Sequence, residues 1–229
     1  VAMRISRADY MALLNNDTAV DRRWLSSLVE AAEGDPGVGA CASKLLFRDN
    51  RLRVTLETIP FHPSDSGSQD RRELGVQLWD ARTVQAGHTG RTEFLEGFYG
   101  LEPSPNGSFR WSAGQSTLGL RVRTSEEAAT LRLTAAAPRP DGRTVQLTLR
   151  AAREPLGRWE VGSSPRPIEV EIPPSVLRQA VPVIQNAGTL ILLDGSGRDR
   201  GTVVRGACAY QEDDQQQYEQ REEVFAGCG

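Results

Sequence analysis

Apolar and polar residues alternate in short runs through the middle of the chain, between about residues 50 and 180. A period of two is typical of β-strands that bury one face and expose the other. Turn signals such as Pro105-Asn106-Gly107 and Pro140-Asp141-Gly142 separate the runs. About eight short strands at these intervals predict an antiparallel β-sandwich of the jelly-roll type. The alternating apolar positions include Leu52, Val54 and Leu56; Leu118, Leu120 and Val122; Leu131 and Leu133; Val145, Leu147 and Leu149; and Ile168, Val170 and Ile172.

The segment before this region has a different pattern. Residues 11–14 form an apolar run, which predicts a short buried strand ending at the polar sequence Asn15-Asn16-Asp17-Thr18. Asp21 is placed to cap a helix, and Gly34 with Pro36 is placed to end it. Residues 38–47 predict a second strand. The apolar residues predicted to share one face of the helix are Trp24, Leu25, Leu28, Val29 and Ala32.

Strand, acidic turn, helix and strand together predict an α/β arrangement in which Asp17 lies at a strand tip. A carboxylate in that position is where α/β folds present groups that bind a ligand or metal. The alternative is that Asn15, Asn16 and Asp17 simply begin a turn, as Asn and Asp often do.

The residues LLNNDT, the following helix with Trp24-Leu25, and the strand DPGVGACASKLLF resemble the centre of family 2 glycosyltransferases, which have the GT-A fold. The resemblance implies that Asn15 and Asp17 occupy the positions of an Asn-x-Asp motif. In that family the motif holds a divalent cation, Mg²⁺ or Mn²⁺, on the diphosphate of a nucleotide-sugar. Asn15, Asn16 and Asp17 are therefore the implied donor-binding residues, with Asn15 and Asp17 as metal ligands. An Asn in the first position supplies one negative charge fewer than Asp would.

The sequence after residue 180 resembles the continuation of the same family, in its rhamnosyltransferase-like members. Asn186-Ala187-Gly188, Asp199-Arg200-Gly201 and Gly227-Cys228-Gly229 follow Lys44-Leu45-Leu46-Phe47 in the family's order. Gly227, Cys228 and Gly229 are implied to lie on the acceptor side. The resemblance implies that the catalytic base lies beyond Gly229, and we expect a fragment that shows no turnover by itself. Asp194, Asp199, Asp213 and Asp214 are candidate bases within the chain, but each is more typical of a turn or surface residue.

These patterns divide the chain into three parts. The resemblance implies that residues 1–49 and 182–229 are the two parts of a GT-A-like α/β domain, the second of them incomplete, and the alternation predicts that residues 50–181 are an all-β antiparallel sandwich inserted between them. The insert resembles carbohydrate-binding modules attached to bacterial glycosyltransferases, although its Arg72-Glu73-Leu74-Gly75 strand comes first rather than last. That order suits a circularly permuted module whose ends meet. Tyr99 and Trp111 could form a sugar-stacking platform, or they could be core residues.

Composition restricts the function classes further. The formal net charge of −3 gives no reason to expect nucleic acid as a partner. No apolar segment is long enough to span a bilayer, and the 3 cysteines are too few for a disulfide framework. We therefore expect a cytoplasmic protein, with the inner face of the membrane as an alternative location. The 2 histidines, His62 and His88, lie in polar loop-like sequence and do not support a zinc site or a His-based triad.

The sequence TLILLDGSGRDRG has a strand followed by glycines, as dinucleotide-binding loops do. The spacing of Gly195, Gly197 and Gly201 is one residue too long, and Thr202-Val203-Val204 does not open a helix. A dinucleotide-binding loop is therefore rejected.

The family resemblance makes the leading hypothesis a glycosyltransferase that transfers a sugar from a metal-bound nucleotide-sugar to a glycan or lipid-linked acceptor. The alternatives are a carbohydrate-binding module and a purely structural β-sandwich, neither with catalysis of its own.

Overall fold

The computed structural model describes residues 5–124, 127–191, 197–200, 202–205, 208–211 and 213. Helix α1 spans Trp24–Glu33, α2 spans Pro174–Leu177, and a 3-10 turn spans Pro63–Ser66. The strands are β1 Leu45–Leu46, β2 Asn50–Thr58, β3 Gln77–Gln85, β4 His88–Gly90, β5 Thr92–Ser104, β6 Gly107–Val122, β7 Ala129–Ala136, β8 Val145–Ala151, β9 Glu154–Val161, β10 Arg166–Ile172, β11 Ile184–Asn186, β12 Thr189–Ile191, β13 Gly197–Asp199, β14 Thr202–Arg205 and β15 Cys208–Gln211.

One antiparallel sheet of nine strands dominates the structure. Its order is β10-β7-β3-β6-β2-β8-β9, with β4 added beside β3 and β5 beside β6. Strand β6 connects the two halves, because its first part pairs with β3 at Trp111 and its second part pairs with β2 up to Val122. The sheet curls so that its edge strands β9 and β10 come into contact, and the Ala137 amide after β7 donates to the Gly162 carbonyl after β9 at 2.6 Å. The strands thus form one nearly closed sheet rather than two separate layers.

The alternating residues predicted to be buried fill the interior of this sheet. Leu118, Leu120, Leu131, Leu147 and Leu149 have 0% exposure, and the sequence alternation of β10 likewise buries Ile168, Val170 and Ile172. The predicted turns are also present: Pro105 and Asn106 form the two-residue loop between β5 and β6. We call residues 50–180 the β domain, since its main core extends from Leu52 to Ala180. Residues 5–49 are the N-terminal flank and residues 181–213 the C-terminal flank.

The predicted α/β, GT-A-like fold class is wrong, because the structure is mostly antiparallel β. Residues 11–14 form no strand, and Leu13 is 71% exposed. A buried strand needs neighbours that take up its backbone N–H and C=O groups, and no described strand pairs with these residues. Of residues 38–47, only Leu45 and Leu46 are in a strand.

Helix α1 forms near its predicted position but does not pack on any of the described sheets. None of its residues is buried, and Leu25 is 54% exposed. Gly34 ends the helix as predicted, since its amide donates to Glu30 at 3.0 Å. Asp21 caps the turn before the helix, by accepting from the Arg23 amide at 2.8 Å, rather than the helix itself. The indole of Trp24 donates to Ser43 at 3.2 Å, which ties α1 to the segment leading into β1.

The two flanks leave the β domain side by side. Strand β1 pairs with β11, with Leu45 opposite Asn186 and Leu46 opposite Ile184. The Phe47 amide donates to the Val183 carbonyl at 2.9 Å. A domain whose ends are adjacent can be inserted in a surface loop of another domain, because it adds little separation between the residues on either side.

Candidate functional site

The predicted donor-binding residues lie in an exposed polar turn of the N-terminal flank. Thr18 closes the turn, because its amide and its hydroxyl both donate to the Asn15 carbonyl, at 3.4 and 2.8 Å. Asn15, Asn16 and Asp17 are all exposed. The local turn expected of Asn and Asp is therefore present, whereas the strand tip that was predicted to aim Asp17 is not.

The side chains at this turn offer a small set of oxygen donors. The Asp17 carboxylate and the Asn15 carboxamide match the chemistry of Mg²⁺, which keeps several waters and often takes only one or two protein carboxylates beside substrate phosphates. Within the described parts of the chain, no group of three or more His, Cys, Asp or Glu residues is arranged to hold a metal ion. A cation bound at Asp17 would thus depend mainly on the oxygens of its substrate.

A second, smaller core lies on the outer face of β3 and β6. We call Phe61, Leu74, Trp79, Tyr99, Phe109 and Trp111 the aromatic cluster. Trp111 is 7% exposed and meets Phe61 edge-on, with ring centroids 6.0 Å apart. Its ring is therefore occupied by packing, which corrects the expectation that Trp111 could stack on a sugar. Trp79 packs on Phe109 at 5.1 Å, and its indole N–H is buried without a hydrogen-bond partner among the described residues.

Tyr99 lies at the edge of the aromatic cluster and is half-buried. Its hydroxyl donates to the Glu73 carbonyl at 3.0 Å, and the Arg72 guanidinium lies 5.1 Å from its ring centroid. Arg72 is itself held between Asp70 and Glu102, at 2.7 and 2.6 Å. The hydrogen bond from Arg72 lowers the pKa of Asp70, and the same contact raises the pKa of Arg72. Tyr99 is thus a fixed aromatic ring bordered by charged groups.

Arg139 closes the other side of the aromatic cluster. Its guanidinium lies 4.5 Å from the Phe61 ring centroid and donates to the carbonyls of Leu74 and Ile59 at 2.9 and 2.7 Å. Burial lowers the pKa of Arg139 because the charged form loses hydration. These bonds hold the segment between β2 and β3, which contains the 3-10 turn, against the sheet.

A network of charged side chains lies where the flanks meet the β domain. Arg51, with 0% exposure, donates to Glu93 at 2.6 and 2.9 Å and to Asp213 at 2.8 Å. Arg53 donates to the other oxygen of Asp213 at 2.9 Å. Arg121 donates to Glu93 at 3.0 and 3.2 Å, and burial lowers the pKa of its guanidinium. We call Arg51, Glu93, Arg121 and Asp213 the junction network.

Sequence reasoning missed the junction network. Leu52 lies on the face of β2 that is expected to be buried. Alternation places Arg51 on the other face, which is expected to meet water. Asp213 attracted attention only as a weak candidate for a catalytic base, yet its carboxylate is 11% exposed and engaged by two arginines. The only sequence signal was the unusual sequence Arg51-Leu52-Arg53, which does not specify a partner more than a hundred residues away.

Of the remaining predicted site residues, the structure describes only the backbone of Asp199, which is part of β13. Asp194, Asp214, Gly227, Cys228 and Gly229 lie outside the described residues. No described helix has the length and apolar character needed to cross a bilayer.

No protein-family model matches the chain, and comparisons with curated proteins and with solved structures return no significant match. The likeness to family 2 glycosyltransferases therefore remains a prediction that rests on the motifs of the two flanks.

Proposed function

We propose that the chain belongs to a family 2 glycosyltransferase, with the β domain inserted between two segments that carry the transferase motifs. In this proposal Asn15, Asn16 and Asp17 contact the diphosphate of a nucleotide-sugar, with a divalent cation between protein and substrate. The acceptor is a glycan or a lipid-linked sugar. Bound there, the cation would neutralise charge on the departing nucleoside diphosphate.

The observation that carries the proposal is the pairing of β1 with β11. It joins Lys44-Leu45-Leu46-Phe47 directly to Asn186-Ala187-Gly188, two motifs that the family resemblance places in succession. In the sequence these motifs are separated by the whole β domain. Antiparallel pairing of the flanks at this point supports an interrupted unit, because it brings together two motifs that the β domain separates in the sequence.

Calorimetric titration of this chain with a nucleoside diphosphate tests the donor site. We expect binding in the presence of Mn²⁺ that is abolished by a chelator and by Asp17→Ala. Asp9→Ala is the matched control, since Asp9 is also an exposed carboxylate of the N-terminal flank. Binding that is unchanged in Asp17→Ala, or that does not need the metal ion, would contradict the proposed role of Asp17.

A carbohydrate-binding role for the β domain is the second candidate. It is favoured by Tyr99, whose ring is held in place by its bond to Glu73 and bordered by Arg72. A fixed aromatic ring beside charged hydrogen-bonding groups is a common feature of sites that bind polar ligands with apolar faces. Affinity electrophoresis in gels containing soluble glycans checks this, with Tyr99→Ala against the control Leu101→Ala. Retardation lost only in Tyr99→Ala supports the role, and equal mobility in all three proteins contradicts it.

A further inference from the structure

The junction network connects three separate parts of the chain. Arg51 and Arg121 lie on neighbouring strands β2 and β6 and face each other across the ladder. Glu93 on β5 accepts hydrogen bonds from both guanidiniums. Asp213, which contacts Arg51, belongs to the C-terminal flank. Three strands of the β domain and one flank therefore share a single set of buried charges.

Arg51 is bonded to the C-terminal flank at two different places. Its backbone exchanges hydrogen bonds with Val181, at 2.7 and 2.9 Å. Its side chain reaches Asp213, whose backbone in turn forms a bridge with Val183. Arg51 therefore loses a side-chain partner if Asp213 is released, and Arg51 is also the residue whose backbone anchors the start of this flank at Val181.

The N-terminal flank is attached to the same network through Arg121. The Arg121 guanidinium lies 4.5 Å from the centroid of the Phe47 ring and donates to the Asp49 carbonyl at 3.4 Å. Phe47 is also the residue whose amide bonds Val183 of the opposite flank. Both flanks thus meet at the two arginines that Glu93 holds in place.

The energetics of buried charges make this attachment close to all-or-none. A buried ion pair gains little over its desolvation cost when complete, but loss of one partner leaves an uncompensated charge in a poorly hydrated site. Arg51 is fully buried, so an intermediate in which Asp213 has left while the flank still covers Arg51 is disfavoured. The flank is either docked with Asp213 on Arg51 or withdrawn far enough for Arg51 to reach water.

We propose that the junction network is a latch that holds both flanks on the β domain, with Asp213 as the member that can withdraw. The latch is a property of the β domain and its flanks, and it stands whether or not the chain belongs to a glycosyltransferase. Its consequence is that the two flanks are released together, because they are attached to two arginines that share Glu93 and because Phe47 pairs with Val183.

Hydrogen–deuterium exchange with mass spectrometry tests the latch in Asp213→Asn. We expect exchange to rise by about tenfold or more in peptides that contain Phe47, Arg51 and Val181, with the rest of the β2–β6 ladder, from Val54 onward, unchanged. Asp80→Asn is the matched control, because Asp80 pairs with Arg82 in an exposed ion pair away from the junction. Unchanged exchange at Phe47, Arg51 and Val181, or an equal rise throughout the β domain, would overturn the proposal.

A milder variant keeps the test valid if Asp213→Asn does not fold. Arg53→Gln removes the contacts to the second oxygen of Asp213 and leaves the buried pair with Arg51 in place. We expect a smaller rise in exchange, confined to the same peptides of both flanks. A rise confined to the C-terminal flank would overturn the shared release of the two flanks.

Discussion

Arg51 and Val181 exchange two backbone hydrogen bonds, with N···O distances of 2.7 and 2.9 Å. One residue lies at the start of the β domain and the other directly follows its end, so the domain is closed at its own boundary. The flanks continue outward as the β1–β11 pair. The fold of the β domain therefore does not require either flank to thread through it.

The first prediction is that residues 48–187 fold when expressed alone. Every member of the main core lies between Leu52 and Ala180, and the segment keeps both Arg51 and Val181, whose backbones exchange hydrogen bonds near its two ends. We expect one cooperative thermal transition by circular dichroism and a β-type far-ultraviolet spectrum. Loss of Asp213 from this segment should lower the transition temperature, because Arg51 loses a partner.

The control for this prediction is the same segment with Arg51→Met. It removes the guanidinium that has lost Asp213, keeps an unbranched apolar side chain in its place and leaves Glu93 paired with Arg121, so it should recover part of the lost stability. A non-cooperative transition in both proteins would contradict the independence of the β domain.

The second prediction concerns the core of the nearly closed sheet. Leu118 lies on β6 with 0% exposure, whereas Leu101 on β5 is 61% exposed. Leu118→Ala removes buried methyl groups and leaves a cavity, so it should lower the free energy of unfolding by about 2–5 kcal/mol. Leu101→Ala should change it by less than about 0.5 kcal/mol, as is usual for surface sites. Urea denaturation of the two variants measures both values, and similar losses would show that the assignment of Leu118 to the core is wrong.

Local patterns predicted the strands because each strand's burial depends mainly on its own sequence. Val54 and Leu56 are buried where the alternation places them, and so are Leu147 and Leu149. The curling of these strands into one sheet was not predicted. It depends on β6, which pairs with both β2 and β3 and has register shifts against β5. These pairings join strands that are far apart in the sequence, so the periodicity of a single strand does not reveal its partners.

The flanks show the opposite outcome. Residues 11–14 have the apolar composition of a buried strand, but burial also needs a neighbouring strand, and none of the described strands provides it. The burial of Arg51 was missed for a related reason. Alternation in β2 places Arg51 on the face expected to meet water, but Asp213, far along the chain, covers it. The candidate donor residues Asn15 and Asp17 were found from motif order alone, which does not specify their surroundings.

The third prediction concerns the titration of Asp70. Hydrogen bonds from Arg72 favour the ionised carboxylate and lower its pKa from the ordinary value of 3.8. A carboxylate whose pKa is lower in the folded state contributes stability above its unfolded pKa and loses it as the pH falls through its folded pKa. The carboxyl carbon shift of Asp70, followed by NMR, should therefore have a midpoint below 3.8.

Arg72→Gln should return the midpoint of Asp70 to its ordinary range. Arg82→Gln is the control, because Arg82 pairs with Asp80 and does not contact Asp70. A midpoint that is unaffected by Arg72→Gln would show that the Arg72–Asp70 pair does not persist in solution.

The fourth prediction compares two glycines that share a backbone conformation but differ in their surroundings. Gly97 has φ +72°, and a Cβ there would lie 2.3 Å from the Gln115 carbonyl oxygen. Gly87 has φ +75° in the turn after β3, and a Cβ there meets nothing within 4 Å. Gly87→Ala should cost about 1–2 kcal/mol, from the left-handed conformation alone. Gly97→Ala adds overpacking against the backbone of β6, which should cost about 1–3 kcal/mol more. The difference between their urea midpoints isolates the crowding at the β5 irregularity, and equal midpoints would mean that β5 can shift away from β6 at Gly97.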